Sequence, residues 1–435
     1  MGMVRKSLLM ATALLAGTVA ASADDKIKVF ESPDAKLKLG TVQFASGKSL
    51  DLSVGIGSAL FHMPGDPANE FYSITDRGPN IDCSASEDIT GMTTAEACGG
   101  DDKAKLFPRP DFVPSIVKFK LNDDGTFVTT DWIQLKDSAG KTITGLSNPL
   151  KAAKTEAAYD KDGQQLPFDP NGLDTEGLVR LKDGTFWVGE EYGPSLVHIA
   201  ADGKVIERLV PAGVDKDLAA ATYKVTGSLP AILAKRQLNR GIEGIALAPD
   251  ESALYAIVQN PLANPDADAY KKAVATRILK LDLKTQQLVG EYVYTLDPAT
   301  SFKQDKSDKQ SDVRISELTA PGVDQLVVLE RIAKTTKLHA IALSGATNIL
   351  GTDWDKVETS PSLEQLKGDE LAGKGITPVV KTLWLDSSDY AELPEKVEGV
   401  AIVDGTQLTL INDDDFGIEG AHTRVVRLTM PSPAF

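Results

Sequence analysis

A Glu-Gly segment that recurs along the chain constrains the fold more than any other feature of the sequence. Each copy joins a short apolar strand to a second one through a Gly or Asp-Gly turn, and the second strand ends in acidic or amide residues. Clear copies begin at residues 173, 241 and 397, a weaker one spans 315–331, and a degenerate one combines 53–56 with 71–77. Asp-Gly between β-rich runs is typical of a hairpin, because glycine accepts the positive φ of a tight turn. The repeat therefore predicts a series of β-hairpins.

Third and fourth apolar strands usually follow each hairpin, as in residues 196–199 and 205–209. Four-stranded units recurring roughly every 65–80 residues indicate a β-propeller whose extra length lies in loops. We therefore predict an all-β fold, a β-propeller of about five to six four-stranded blades with long loop insertions. An N-terminal strand can complete the last blade of such a ring. The alternative all-β arrangement, a pair of sandwiches, does not explain the recurring Glu-Gly.

The first 23 residues are typical of a secretory signal peptide. Arg5 and Lys6 form its positive end, small and apolar residues follow, and a small-x-small pattern ends at Ala23. A cytosolic amphipathic helix would need a polar face that this segment lacks. We expect residues 1–23 to be a signal peptide and residues 24–435 to form a single propeller domain. The protein would then be periplasmic or secreted, with no membrane anchor.

Charge and composition narrow the possible ligands. The 435 residues carry a net charge of −16 and include only four histidines. With no basic block, nucleic acid is excluded as an expected partner, and a zinc or copper centre built from histidines is improbable. We expect a small-molecule ligand, with a protein partner also possible.

The two cysteines lie close together in a Gly-rich, polar stretch. In an oxidising compartment, Cys83 and Cys98 are expected to form a disulfide. The alternative is a two-thiolate metal site, but no histidine or further cysteine lies nearby to complete it.

Acidic residues occupy equivalent positions in successive repeats. If Glu176, Glu243 and Glu398 each open an inner strand, their carboxylates converge at one mouth of the ring, and Glu317 is a less secure fourth. Acids at the ends of second strands would lie near the same region, and the predicted metal ligands are Glu176, Glu190, Glu243, Glu398, Asp413 and Asp414. Crowded carboxylates require raised pKa values or a cation, and oxygen ligands favour calcium. The alternative is structural, with glutamates accepting backbone N–H bonds and glycines allowing adjacent blades to approach closely.

Asp76-Arg77-Gly78-Pro79-Asn80 is the most distinctive local motif, because it follows an apolar strand and leads into the cysteine loop. An arginine beside an aspartate there can bind an anionic substrate. The alternative is a turn in which the arginine pairs with its own neighbour. Arg240 and Arg331 are further candidates for anion binding. The predicted catalytic residues are Asp76, Arg77, Glu176, Glu243 and Arg240.

The ordered motifs resemble those of the phytase-like family, which is described by an esterase-like activity of phytase. They are Asp76–Pro79, Leu173-Asp174-Thr175-Glu176-Gly177 with Glu190-Glu191, Asn239–Gly244, and Val397-Glu398-Gly399 with Asn412-Asp413-Asp414. The resemblance covers roughly residues 41–428 and implies an exported, propeller-like protein. A Gly-x-Ser-x-Gly elbow is absent, so a serine hydrolase of the α/β type has no support.

Three functions are compatible with these features. The first is a calcium-dependent hydrolase of phosphoesters, in which calcium polarises the phosphoryl oxygens and Arg77 or Arg240 neutralises the departing phosphate. The second is a non-catalytic propeller that binds a ligand or protein and uses calcium only for rigidity. The third is a calcium-assisted lactonase or esterase that uses the same acid-lined channel.

Overall fold

The structure, a computed structural model, describes residues 26–435, so the predicted signal peptide and its cleavage site lie outside the described residues. Up to residue 166 the chain forms ten strands and two helices. They are β1 (Ile27–Glu31), β2 (Lys38–Gln43), β3 (Ser49–Ser53), β4 (Glu70–Ile74), β5 (Ile81–Asp82), α1 (Ser86–Thr90), α2 (Thr94–Cys98), β6 (Lys105–Phe107), β7 (Ser115–Leu121), β8 (Phe127–Gln134), β9 (Ala158–Asp160) and β10 (Gln165–Leu166).

The remaining chain is more regular, with sixteen strands and two short helices. They are β11 (Thr175–Arg180), β12 (Phe186–Glu190), β13 (Ser195–Ile199), β14 (Val205–Pro211), β15 (Lys224–Leu229), β16 (Ile242–Leu247), β17 (Ala253–Val258), α3 (Ala267–Lys272), β18 (Ala275–Asp282), β19 (Gln287–Thr295), β20 (Arg314–Gly322), β21 (Gln325–Arg331), β22 (Thr336–Ala342), β23 (Val380–Asp386), α4 (Gly368–Gly373), β24 (Val397–Asp404), β25 (Gln407–Asn412) and β26 (Arg424–Thr429).

Residues 26–435 form five blades. Blade 1 contains β4-β7-β8, blade 2 contains β11 to β15, blade 3 contains β16 to β19, and blade 4 contains β20 to β23. Blade 5 contains β24-β25-β26 and is completed by β1, which pairs antiparallel with β26 and places Ile27 opposite Leu428. The predicted all-β propeller is confirmed, with five blades and an N-terminal strand that closes the last one.

The hydrophobic core lies between the blades. An apolar cluster occupies each of the five contacts around the ring, including the contact between blades 5 and 1, where Ile411 and Val425 meet Phe71 and Phe119. This arrangement follows from the sequence, since buried strands that are covered on both faces read as continuous apolar runs. The central strands β16 and β17 are buried along their whole length.

Two blades depart from the four-stranded prediction. Blade 2 has a fifth strand, since β15 runs parallel to β14. Blade 1 has three regular strands, and its innermost segment is irregular, with Phe61 and Tyr72 exchanging backbone hydrogen bonds of 2.8 and 2.9 Å. The degenerate first repeat thus corresponds to a blade without a regular inner strand.

A disulfide braces the large insertion in blade 1. Cys83 and Cys98 are bonded, with Cα atoms 6.1 Å apart, which confirms the predicted pair and excludes the two-thiolate metal site. The insertion contains α1, α2 and a small sheet of β5, β6, β9 and β10. Both cysteines are fully buried in an apolar cluster with Leu106.

The glycines of the Glu-Gly repeats lie where adjacent inner strands approach each other most closely. A Cβ on Gly244 would lie 2.6 Å from the carbonyl carbon of Glu317, and one on Gly399 would lie 2.7 Å from that of Ala59. Such distances leave no space for a side chain. The glycine half of the repeat therefore has a packing role, as the structural alternative predicted.

Within residues 26–435, no helix has both the length and the apolar character needed to cross a membrane.

Candidate metal and oxyanion site

The inner strands begin at the end of the channel where the second strands of the blades terminate. Thr175 at the start of β11 pairs with Glu190 at the end of β12, and Val397 pairs with Asn412 in the same way in blade 5. Residues just before inner strands and just after second strands therefore meet at one end of the ring. We call this end the acidic mouth and define it by Asp76, Asp174, Glu176, Glu191 and Glu243.

β-Bulges set the direction of the repeated glutamates. In β16, Ile242 lies opposite Val258 and Gly244 lies opposite Ile257, so Glu243 is the extra residue. Glu398 is the extra residue of β24, and the register of β11 shifts across Glu176. A bulge re-aims a side chain that would otherwise follow the strand alternation. The predicted equivalence of these three glutamates therefore has a backbone basis.

The fourth predicted equivalent, Glu317, is displaced by one residue. The bulge of β20 lies between Ile315 and Glu317, so Ser316 occupies the position of the other glutamates. The carboxylate of Glu317 instead accepts backbone N–H bonds from Leu60 at 3.2 Å and Leu318 at 2.9 Å. Its role matches the structural alternative.

Four carboxylates gather around that of Glu176. One oxygen each from Asp76, Asp174 and Glu176 lie within 4.8 Å of one another, and the same holds for Glu176, Glu191 and Glu243. Glu176 is 7% exposed and Glu243 is 3% exposed, so these carboxylates are buried below the surface of the ring. Two of the predicted ligands, Glu176 and Glu243, and the predicted catalytic Asp76 are thus brought together.

Burial, reinforced by neighbouring carboxylates, raises the pKa of every member of this group. The pKa of Asp174 rises to about 6, although Arg77 opposes the shift, and that of Glu191 to about 7 against the opposing charge of Arg240. The pKa of Glu243 rises to about 8, and those of Asp76 and Glu176 lie well above their ordinary values. Full ionisation of the group would therefore bring together negative charges that the neighbouring arginines do not neutralise.

The donor set fits a hard divalent cation. All donors are carboxylate oxygens, which calcium prefers, and Glu243 Oε2 is buried without a hydrogen-bond partner. Unpartnered buried carboxylate oxygens are costly unless a cation or donor approaches them.

Arg77 lies beneath the mouth rather than facing it. Its guanidinium is 2.7 Å from Glu156 and 3.3 Å from Asp174, and it packs against the rings of Phe107 and Tyr192. Arg77 is only 2% exposed, so it holds Asp174 in place and ties the insertion to the ring. Its partners are distant carboxylates and not Asp76, whose Oδ1 accepts the N–H of Gly78 at 2.7 Å.

Glu190, a predicted metal ligand, faces away from the carboxylate group. It forms a fully buried ion pair with Arg208 at 2.7 Å and accepts hydrogen bonds from Ser195 and Gly193. Successive residues of a strand point to opposite sides, so the next residue, Glu191, reaches the mouth instead.

The remaining predicted ligands lie on the blade 5 side. Glu398 pairs with Arg331, and Asp414 accepts hydrogen bonds from Ser53, Thr423 and the backbone of Phe416. Asp413 is 9% exposed, and its charge helps to raise the pKa of Asp76 across the mouth. Of the predicted ligands in blade 5, Asp413 therefore interacts electrostatically with the carboxylates of the acidic mouth.

Basic residues occupy the side of the mouth formed by blades 3 to 5. Arg240 lies 3.2 Å from Glu191, and Arg314, Arg331 and Lys396 complete the set. Burial and the charges of Arg240 and Arg331 lower the pKa of Arg314 to about 9. Sequence reasoning found Arg240 and Arg331 but missed Arg314 and Lys396. A signal for both was present in the repeat. Arg314 and Lys396 each lie two residues before the extra residue of their inner strand, which is the position that Asp174 has in blade 2.

A separate polar cluster lies between the outer parts of blades 3 and 4. Asp297, Glu330 and His339 bring ligand-type atoms within 4.8 Å of one another, but Lys337 and Lys381 contact the carboxylates directly. These two lysines neutralise the two acids. This cluster therefore resembles a structural network more than a metal site.

Two cavities of the described residues lie away from the carboxylates. One of about 350 Å³ opens at the opposite end of the channel, where Leu60, Val179, Ile245 and Leu318 line it. Another of about 530 Å³ lies against β2 and the insertion. The charged groups distinguish the acidic mouth from both cavities.

The sequence model of the phytase-like family, described as esterase-like activity of phytase, matches residues 53–416. The chain belongs to the phytase-like family. The matched segment contains every residue of the acidic mouth, and the resemblance expected from the motifs is confirmed.

A curated relative of this phytase-like protein is an uncharacterized secreted protein from Arthroderma benhamiae. The two are 26% identical over 234 residues, which is 46% of this chain and 44% of the relative, so the match spans less than half of the fungal protein.

Solved structures that can be aligned with most of this phytase-like protein have low structural similarity to it. The PQQ-bound aldose sugar dehydrogenase of Streptomyces coelicolor is 9% identical, with a TM-score of 0.33 and coverage of 93% of this chain and 98% of the other. Virginiamycin B lyase of Staphylococcus aureus is 12% identical, with a TM-score of 0.31 and coverage of 93% and 99%.

Proposed function

We propose that this protein is an exported, calcium-dependent hydrolase of phosphoesters whose site is the acidic mouth. The observation that carries the proposal is the position of an under-neutralised group of carboxylates directly beside a row of arginines. Glu191 belongs to the carboxylate group and also contacts Arg240. A cation site and an anion site thus share one rim, which is what a bound metal and a phosphoryl group require together.

Membership of the phytase-like family supports a hydrolase-type function. The secreted description of the fungal relative and the signal-like residues 1–23 support export. The substrate would be a small phosphorylated molecule.

The carboxylates of Asp76, Asp174, Glu176, Glu191 and Glu243 would hold the cation. When bound, calcium would neutralise these carboxylates, polarise the phosphoryl oxygens and lower the pKa of a water molecule. Arg77 keeps Asp174 oriented from below, and Arg240 donates to the phosphoryl oxygens from the opposite side. Hydrolysis consumes one water molecule, breaks the bond between phosphorus and the ester oxygen, and yields an alcohol and inorganic phosphate.

Phosphate release from inositol phosphates and simple phosphomonoesters, measured with calcium and with EDTA, tests the proposal. We expect turnover that depends on calcium and is lost in Glu243→Gln, while the exposed Glu358→Gln retains it. Retention of the wild-type melting temperature in Glu243→Gln, with both proteins measured in EDTA, would separate loss of the site from loss of the fold. Absence of phosphate release by folded, calcium-loaded protein would overturn the proposal and favour a binding propeller.

A further inference from the structure

Arg314 is a charged side chain without a partner at the acidic mouth. Within residues 26–435 it makes no side-chain hydrogen bond or ion pair, and its Nε is buried and unpartnered. The buried Arg208 and Arg277, by contrast, each lie against carboxylates at 2.7 and 2.9 Å. A guanidinium taken partly out of water without an acceptor is unfavourable unless a ligand supplies one.

The backbone places Arg314 beside two other cations. It pairs in register with Arg331 at the start of β20, and the N–H of Ile315 donates to the carbonyl of Gln259 at 3.0 Å, which ties this point to blade 3. The N–H of Gln259 in turn donates to the carbonyl of Gly241, the residue after Arg240, at 2.9 Å. Arg240 and Arg314 are therefore neighbours across the boundary between blades 3 and 4.

Lys396 holds the corresponding position in blade 5. Its carbonyl accepts the N–H of Asp413 at 3.0 Å, as the carbonyl of Asp174 accepts the N–H of Glu191 at 3.0 Å in blade 2. These equivalent bonds place Lys396 at the same level of the ring as Asp174. A base in blade 5 thus takes the place that the acid Asp174 has in blade 2.

Among the basic residues of the mouth, only Arg314 has no contacting carboxylate within residues 26–435. Glu191 pairs with Arg240, Glu398 with Arg331, and Asp415 with Lys396. The donors of Arg331 are also taken by Ser316, the carbonyl of Ile332 and Glu398, so Arg331 contributes charge rather than free N–H groups. Arg314 retains both its charge and its donors, and it is partly exposed.

We propose that Arg314, with Arg240 and Lys396, forms a subsite for a tetrahedral oxyanion and holds the phosphoryl group of a phosphomonoester. The assignment of substrate class rests on the proposed hydrolase function, whereas oxyanion binding does not. Arg314 supplies a free guanidinium fork from blade 4. Arg240 and Lys396 add, from two further blades, the donors that Glu191, Asn239 and Asp415 leave free. Donors from three directions suit three oxygens around phosphorus better than the two oxygens of a planar carboxylate.

Anion binding measured without turnover tests the subsite directly. Calorimetric titrations with inorganic phosphate, sulfate and acetate, at fixed ionic strength in EDTA and again with calcium, compare the wild type with Arg314→Gln and Arg314→Lys. Arg180→Gln is the matched control, because Arg180 is also partly buried but lies at the far end of β11. We expect Arg314→Gln to weaken phosphate binding by about tenfold or more, with Arg314→Lys intermediate, Arg180→Gln unchanged, and acetate the weakest ligand.

The outcomes separate this inference from the proposed function. Phosphate binding that needs Arg314, in a protein without phosphatase activity, supports the subsite while the hydrolase fails. Turnover with an unchanged KM and unchanged phosphate affinity in a folded Arg314→Gln variant overturns the subsite while the hydrolase stands. Equal affinities for acetate and phosphate would overturn the preference for a tetrahedral anion.

Discussion

At the residue scale, adjacent glutamates at the end of one strand serve opposite purposes. Glu190 is locked against Arg208 inside blade 2, whereas Glu191 faces the carboxylates of the mouth. The first side chain stabilises the blade through a satisfied buried pair. The second adds to a crowding of carboxylates that a bound cation would relieve.

This crowding predicts the pH dependence of the metal-free protein. Burial and Glu191 raise the pKa of Glu243 from 4.5 to about 8, so between these values the unfolded chain is ionised while the folded protein still holds the proton. Stability is therefore present below pH 4.5 and is lost as pH rises toward about 8. In EDTA, we expect the melting temperature to fall over this range and the fall to be shallower in Glu243→Gln. Calcium should raise the melting temperature of the wild type and have much less effect on the variant. A metal-free melting temperature that rises with pH would contradict this prediction.

The sequence identified Glu176 and Glu243 because their repeat carries them, but it selected Glu190 rather than Glu191. Glu190 is the last paired residue of β12, and Glu191 follows it. Adjacent residues point in opposite directions, so the sequence alone did not show which of the two faces the mouth. Arg314 was missed for a related reason, because its role depends on cations from other blades.

At the element scale, the bulged inner strand is the unit that builds the site. The extra residue turns a glutamate toward the mouth, and the following glycine lets the next blade approach. Composition and spacing predicted the strands and their order. They did not predict that the bulge in β20 lies at Ser316, because an apolar pattern is nearly the same in either register.

Because the inner strand of blade 4 lies so close to Gly244, adding one methyl group there should lower the stability of the protein markedly. Its Cβ would meet backbone atoms of Glu317 and Leu318 at 2.6 Å, and backbone cannot move aside cheaply. We expect Gly244→Ala to lower the free energy of unfolding by about 1–3 kcal/mol, the usual cost of overpacking. Gly373→Ala is the control, since nothing lies within 4 Å of its Cβ. Urea unfolding of both variants measures the difference, and equal stabilities would show that the blades can separate at no cost.

Loss of the disulfide should loosen the insertion of blade 1 without unfolding the ring of blades. The bond spans a sequence separation of 15, for which the chain-entropy model gives about 3 kcal/mol. The double variant Cys83→Ser, Cys98→Ser should become sensitive to limited proteolysis between residues 83 and 107, while the blades stay folded. Unchanged protease resistance of the insertion in the double variant would show that its apolar cluster suffices.

At the scale of the whole molecule, the ring depends on a strand contributed from near residue 27. β1 covers the edge of β26, and Phe30 enters the core between blades 1 and 5. The sequence suggested this closure through the propeller pattern. It could not fix the blade number, because the inner segment of blade 1 lacks a regular strand pattern.

Removal of residues 24–32 should therefore open the ring at one place. The exposed edge of β26 and the lost burial of Phe30 should lower the melting temperature and promote self-association. Thermal unfolding with light scattering measures both effects. A synthetic peptide of residues 26–33 should restore part of the lost stability, whereas an unchanged melting temperature after truncation would refute the role of β1.

Strand β1 is synthesised early but can pair only after β26 has been made. Residues 27–31 are synthesised well before their partners at 424–428, which lie about 400 residues further along the chain. Contacts between such distant segments form slowly, because a long loop must close before they contribute stability. The strands of blades 2 to 4 pair with strands close to them in the chain, so these blades can form while β1 is still unpaired. We therefore expect β1 and β26 to pair late in maturation, and a partner that shields an unpaired strand would act before that pairing.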